Sequence, residues 1–216
     1  MDTMKKLPSQ YLVLGDIVGS RAASDRRRVH DYLVEALATV RATVPPDRGM
    51  RVTVGDEFQG VYATLGEALH ATFLLRLHAF PEVDVRIGVG RGEVTVLEAD
   101  RGIEDGPGWW AARDAVETAE RAAERAATRT LRTVYRSAQP DPREDAVNAA
   151  LLCRDHLVGS VSERSVRLLR GLMESDTTQT ELAAREGVSA SAVSQRVRSD
   201  GLGVVLAAEE LLRGLP

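Results

Sequence analysis

Apolar residues follow two different rhythms along this chain of 216 residues. In the first part, short apolar runs alternate with stretches of helical spacing. Tyr11 to Leu14 is short, apolar and partly β-branched, which predicts a buried strand closing on Gly15 and Asp16. The segment SDRRRVHDYLVEALATVRATV then sets Val29, Leu33, Leu37 and Val40 on one helical face, and Pro45 and Pro46 stop that helix. Val52 to Leu65 reads as strand, tight Gly55-Asp56 turn, strand. Leu65 to Phe80 regains helical spacing through Leu69, Phe73, Leu74 and Leu77, and Val83 to Ala99 predicts a second hairpin turning at Gly90-Arg91-Gly92. Asp100 to Gly108 reads as a loop, and Trp109 to Arg136 as one long alanine-rich helix. This order predicts an α+β sandwich with helices on one face of an antiparallel sheet.

Beyond that helix the strand signals stop. Residues 1–137 form the expected α+β domain, residues 138–145, within SAQPDPRED, a linker, and residues 146–216 a small all-α domain. Gln179 to Arg198 has the spacing of a helix-turn-helix: Leu182 and Val188 for the core, Ala183 at the close approach, Gly187 at the turn, Val193 anchoring the second helix. That second helix presents Ser189, Ser191, Ser194, Gln195 and Arg198, of which Gln195 and Arg198 suit base edges and the serines suit phosphates, so DNA is an expected partner of residues 179–198. Yet six arginines and six acidic residues lie between Ser160 and Asp200, without the basic excess that phosphate neutralisation calls for. A helix pair used for dimerisation or internal packing is the alternative.

Charge narrows the field further. With 28 basic and 32 acidic residues and a net charge of -4, the chain has no general attraction to nucleic acid or to acidic membranes, so any DNA contact is local. Cys153 stands alone, which rules out a disulfide within the chain and predicts a buried position on a helix face. Neither an apolar signal core after Lys5 and Lys6 nor a run of membrane-spanning length is present, and the expectation is a soluble, cytoplasmic protein with no membrane partner. His30, His70, His78 and His156 show no ligand spacing and read as structural or surface residues; Arg86 and Arg91 read as solvated strand residues, with phosphate-facing positions as the alternative, and Trp109 and Trp110 as caps on a core, with base stacking as the alternative.

The chemistry gathers at Asp16. Strand ends and the helix amino termini that follow them collect phosphate, because their backbone N–H groups are unpaired; Gly19 allows close approach and Ser20 adds a hydroxyl. Asp56, at the tip of the predicted hairpin, supplies a second carboxylate, and two such groups are the usual protein share of a Mg or Mn site that also holds substrate phosphates. The bland alternative is a pair of ordinary turn residues.

GDIVGSR, GDEFQG, RIGVGRG and DGPGWWAAR, in that order and ahead of a helix-turn-helix, closely resemble the SatD family of bacterial proteins over essentially the whole chain. The amino-terminal motifs also resemble a compact class III nucleotidyl cyclase domain. That resemblance implies a ferredoxin-like core, Asp16 and Asp56 as metal aspartates, Ile17 as the position whose backbone carbonyl touches metal, and Gly19, Ser20 and Arg21 as the phosphate-cradling turn, with Gly55 beside the nucleotide. It casts Arg113 as the catalytic arginine that stabilises charge on the transferring phosphoryl group. Trp109 stands where a cyclase has asparagine, and Val52 where many have a base-reading lysine. GDEF is similar to the diguanylate cyclase signature as well, though Val54 replaces its expected glycine. Three readings follow: a nucleotide- and metal-binding sensor coupled to a DNA-binding helix-turn-helix, an active nucleotidyl cyclase or related phosphoryl-transfer enzyme, and a non-catalytic interaction scaffold. Helix-turn-helix proteins and class III cyclases both tend to act as dimers, so the likeness to each implies a homodimer.

Overall fold

The computed structural model describes residues 5–20, 25–174 and 177–216. Strand β1 (Lys5–Ile17), helix α1 (Arg26–Thr43), strands β2 (Arg48–Val52) and β3 (Phe58–Tyr62), helix α2 (Leu65–Ala79) and strand β4 (Val85–Glu98) succeed one another. They pair antiparallel in the order β2-β3-β1-β4. Strand, helix, two strands, helix, strand in that sheet order is a ferredoxin-like α+β fold. A short β5 (Ile103–Asp105) and a parallel β6 (Thr133–Ser137) both pair with β4. Asp25 caps α1 by accepting from the Arg28 N–H at 2.9 Å, and Thr64 and Glu67 form a capping box on α2.

The sheet is covered on both faces, not on one as its strand and helix order suggests. Alternate residues of β1 divide between two cores. Val13 and Ile17 pack with Ile87 and Val89 against Leu33, Leu37 and Leu69 of α1 and α2. Leu12 and Leu14 pack with Val94 against Ala112 and Val116 of α3 (Pro107–Ala123).

Helix α3 explains the largest departure from the sequence reading. Val83–Ala99 holds no hairpin: β4 runs straight through Gly90-Arg91-Gly92 and pairs with β1 along almost its full length. The glycines serve close packing, because a methyl group on Gly90 would collide with the Ala112 nitrogen and the Gly108 carbonyl, and one on Gly92 would sit 2.6 Å from the Gly108 nitrogen. The backbone of α3 thus lies directly on the strand. The expected long helix also ends early, at Ala123, because Thr133, Val134 and Tyr135 are buried more effectively as a strand beside β4. Asp100–Gly108, expected as loop throughout, contains β5.

Five helices complete the chain: α4 (Glu144–Ser160), α5 (Glu163–Met173), α6 (Gln179–Glu186), α7 (Ala190–Ser199) and α8 (Leu202–Arg213). Val147, Leu151 and Leu212 enter the core shared by α1, α2 and the sheet, while Phe73 and Leu77 of α2 enter a second core with Val158, Leu168, Leu202 and Val205. In the stretch between β6 and α4, Asp141 is almost wholly buried and accepts from the Tyr135 hydroxyl at 2.7 Å and from Arg143 at 2.8 Å. The Arg143 guanidinium holds its carboxyl well below the usual range. Cys153 is exposed on α4, contrary to the expected burial, because its neighbours Arg154 and Asp155 take the inward positions. Among the described residues, no helix is long and apolar enough to cross a membrane.

Those inward positions carry charge. Asp155, with no exposed surface, accepts from Arg76 at 2.7 Å and from the backbone N–H groups of Arg132 and Thr133, each at 2.7 Å. Arg154 lies 4.3 Å over the Phe73 ring and donates to Glu209 at 3.0 Å, and Glu209 also meets His70 at 3.0 Å.

Three outcomes are expected. Gly90→Ala costs at least about 1–3 kcal/mol of stability by overpacking. Asp155→Ala costs about 3–5 kcal/mol by stranding buried cations, whereas Arg101→Ala, which breaks an exposed pair, stays within about 0.5 kcal/mol; urea unfolding of the variants measures each. Asp141 titrates lower in the folded than in the unfolded chain, so its contribution is complete above the ordinary carboxylate pKa of about 3.9 and is lost as pH falls below it. Asp141→Asn therefore flattens the loss of stability between about pH 4 and pH 2, read as urea midpoints across that range.

Candidate functional site

The carboxyl end of β1 leads out of the sheet core, and β1 alternation decides where its last side chains go. Asp16 shares the α3-facing side with Leu12 and Leu14, and Ile17 turns to the α1 side. Antiparallel register sets Arg86 of β4 directly opposite Asp16. The Arg86 guanidinium places Nε 3.1 Å and Nη2 3.0 Å from Asp16 Oδ1, and its Nη1 is 3.0 Å from Glu120 of α3. The Arg86 and Asp16 side chains are only 14% and 23% exposed. Arg86 is therefore the charge partner of Asp16 and not the solvated strand residue that its alternation suggests.

Asp56 sits in a five-residue connection, Thr53–Glu57, longer than the tight turn expected. The loop closes through the Thr53 N–H on the Glu57 carbonyl at 2.8 Å, and Gly55 takes φ +66°, a left-handed conformation suited to glycine. Glu57 precedes β3, so strand alternation does not govern it. It receives Arg113 of α3 in a two-pronged pair at 3.0 and 3.2 Å. Arg113 and Glu120, about two turns apart on α3, thus line the same side as Asp16.

The predicted residues divide between two sides of one strand end. A shallow cleft on the α1 side is lined by Ile17, Ser20, Gly55 and Asp56, joined by Arg26 and His30 from the first turns of α1. Asp16, Arg86, Glu57 and Arg113 form the α3 side. Asp56 links the two, since its charge is felt at Asp16. Burial pushes the Asp16 carboxyl above its usual range, Arg86 opposes this, and Asp56 and Glu120 add to it. The hydrogen bonds to Glu57 are the main cause holding the Arg113 guanidinium above its usual range, and Asp16 contributes. Gly19 is exposed with φ +71°; Arg21 lies outside the described residues. Arg26, His30, Arg86 and Glu120 were not among the predicted site residues. The α1 pair was signalled only by closeness to a helix amino terminus, and the Arg86 position only by a strand register that local sequence does not encode.

Two carboxylates, one of which feels the charge of the other, suit a Mg or Mn ion that takes its remaining ligands from water and phosphate. Asp16 Oδ2 has no side-chain hydrogen bond among the described residues, which leaves one acceptor on that carboxylate, although Arg86 already neutralises part of its charge. The same residues contain no group of three or more His, Cys, Asp or Glu side chains able to hold a metal. The donor set therefore fits a cation shared with a phosphate ligand, not a site enclosed by protein.

Trp109 and Trp110 open α3 differently. Trp109 packs on the α3-side core and donates to Glu104 at 3.3 Å, while Trp110 is 62% exposed and donates to Asp105 at 2.8 Å. In the carboxy-terminal part, α6 and α7 meet through Gly187, with Leu182, Ala183 and Val193 buried. Ser189, Ser191, Gln195 and Arg198 are exposed on α7 and Ser194 is half-buried; Ser189 caps its own helix by accepting from the Ala192 N–H at 3.2 Å.

A family model described as the SatD family matches residues 11–214. No curated protein matches the sequence. The chain is similar to the solved adenylyl cyclase CyaB from P. aeruginosa at 14% identity, over 54% of this chain and 74% of that one, with a TM-score of 0.44. It is also similar to the monomeric guanylyl cyclase domain of the RhoGC fusion protein from the aquatic fungus Blastocladiella emersonii, at 16% identity over 53% and 78% of the two chains, TM-score 0.41. A bacterial light-regulated adenylyl cyclase gives 9% identity over 61% and 44%, TM-score 0.46.

The two ion pairs at the site are expected to differ in strength. Arg86→Met strands a partly buried carboxylate and costs roughly 2–4 kcal/mol, whereas Glu57→Gln loosens an exposed pair and costs no more than about 1 kcal/mol. Urea unfolding at pH 7 distinguishes them.

Proposed function

The chain belongs to the SatD family, and from that premise we propose that its amino-terminal part is a nucleotide- and metal-binding sensor whose state is passed on by the helices of residues 146–216. The observation that supports this reading is that the charge of Asp56, which lines the cleft beside the first turn of α1, is felt at Asp16 on the neighbouring strand end. Asp16 and Asp56, with the Ile17 carbonyl, would hold Mg or Mn. Such an ion supplies positive charge between the carboxylates and a phosphate. Gly19, Ser20, Arg21 and Gly55 would approach the phosphates, helped by Arg26 and by the exposed N–H groups that open α1.

Binding is favoured over catalysis by the state of Arg113. A guanidinium that stabilises a transferring phosphoryl group must face that group, and here it is held by Glu57 of the same chain. Trp109 fills the asparagine position of a cyclase with a side chain directed to Glu104. An active cyclase or related phosphoryl-transfer enzyme is the second reading, since an exposed pair of this kind exchanges partners readily.

For the output, we propose DNA contact through α7, whose exposed Gln195 and Arg198 lie on the side away from buried Val193. A homodimer would bring two such helices to adjacent half-sites. Sedimentation of the protein tests the dimer, and loss of affinity for genomic fragments in the Gln195→Ala, Arg198→Ala variant tests the contact.

The deciding experiment is calorimetric titration with ATP, GTP, CTP and UTP, with and without manganese, followed by chromatography for products. Manganese-dependent binding of at least one triphosphate, weakened about tenfold or more in Asp16→Ala and Asp56→Ala, is expected without product. Unchanged binding in both variants overturns the metal site, and a cyclic product moves the assignment to the enzyme.

A further inference from the structure

A second cavity, of about 210 Å³, lies where the end of α2, the stretch before β6 and the α4–α5 corner meet. One wall is apolar, from Leu77, Phe80, Val158, Val161 and Val166, and Arg76 stands beside it with Thr130. Arg132 and Asp84, also at its edge, satisfy each other: Arg132 donates from Nε to Asp84 at 2.9 Å, and from Nη1 to the Arg129 and Leu131 carbonyls.

Arg76 is not satisfied in this way. Its residue is only 8% exposed, yet among the described residues its sole hydrogen bond runs from Nη1 to Asp155. Asp155 is already shared, because its other oxygen accepts the Arg132 and Thr133 N–H groups. Most of the guanidinium's donors thus have no acceptor among the described residues, and they are not sealed from solvent as the Arg154 Nε is. Nη2 lies beside Gly159, whose lack of a side chain lets Thr130 pack closely there: a methyl group on Gly159 would sit 2.8 Å from Thr130 and 3.7 Å from Nη2. Burial lowers the readiness of Arg76 to carry its charge, and Asp155 offsets only part of that.

A largely buried cation with open donors beside an apolar wall is matched by an anion whose remainder is apolar. We propose that this cavity binds a small organic carboxylate, its carboxylate on Arg76 and its apolar body between Phe80, Val161 and Val166. The site does not depend on the nucleotide reading. It joins the sheet layer to the carboxy-terminal helices, and it adjoins the strand end that carries Asp16: the carbonyl of Asp84 accepts the Val18 N–H at 2.9 Å, and Arg86 follows two residues later.

Benzoate, with benzamide as its uncharged counterpart, probes the full-length chain by calorimetry and by amide NMR shifts at Gly159 and Thr130. Benzoate is expected to bind at least about tenfold more tightly than benzamide and to shift those amides, since a charge-assisted pair is lost in the amide. Arg76→Gln is expected to remove the preference. Because that variant also strips Asp155 of a partner, Val161→Phe is the control: it fills the cavity without touching the ion pair, keeps the parent's circular dichroism, and abolishes binding. Absence of benzoate binding to the parent, equal affinity for benzamide, or undiminished binding by Val161→Phe overturns the proposal.

Discussion

A charge taken out of water must find its counter-charge inside the fold, and around Asp155 that requirement joins four elements at once. Arg76 comes from α2, Arg154 and Asp155 from α4, the Arg132 and Thr133 amides from the edge of β6, and Glu209 from α8. Each member is held because removing it leaves another stranded at a cost of several kcal/mol. Apolar packing alone would let the carboxy-terminal helices settle on α2 in several nearby ways. The ion cluster, with Arg154 stacked on Phe73, admits far fewer. The price is incomplete satisfaction, visible in the Arg154 Nε that has no hydrogen-bond partner.

The same physics acts more gently at the end of β1. Asp16 and Arg86 are paired by register but keep some contact with solvent, and Arg113 and Glu57 are paired in the open. A gradient results, from the sealed ions around Asp155 to the exchangeable ones at the cleft. At the exchangeable end a charged group can replace one partner of a pair without desolvating the other from scratch.

How much of this the residues disclosed depended on range. The strand ending at Asp16, the helical spacing of Val29 to Val40, the Asp56 connection and the helices on either side of Gly187 are local patterns, and all were legible. Gly90-Arg91-Gly92 misled, because glycine marks a turn and a close backbone approach with the same letters, and only the position of α3 tells them apart. Tyr135 and its neighbours read as helix until β4 is present to pair with them. Arg86 looked solvated because strand alternation cannot say which strand lies alongside. Cys153 looked buried because α4 turns its arginine and aspartate inward, the reverse of what polarity alone suggests.

The glycine strip on β4 has a mechanical side. Helices usually lock to a sheet by side chains that mesh like teeth, and Gly88, Gly90 and Gly92 present none to α3. Buried Ala112, Ala115, Val116 and Ala119 seat the helix, and polar contacts add to them along its length: Trp109 on Glu104, Trp110 on Asp105, Arg113 on Glu57 and Glu120 on Arg86. Because Arg113 and Glu120 stand on one helix, the seat of α3 on the strand that brings Arg113 to Glu57 also brings Glu120 to Arg86, so the two ion pairs at the end of β1 share one support.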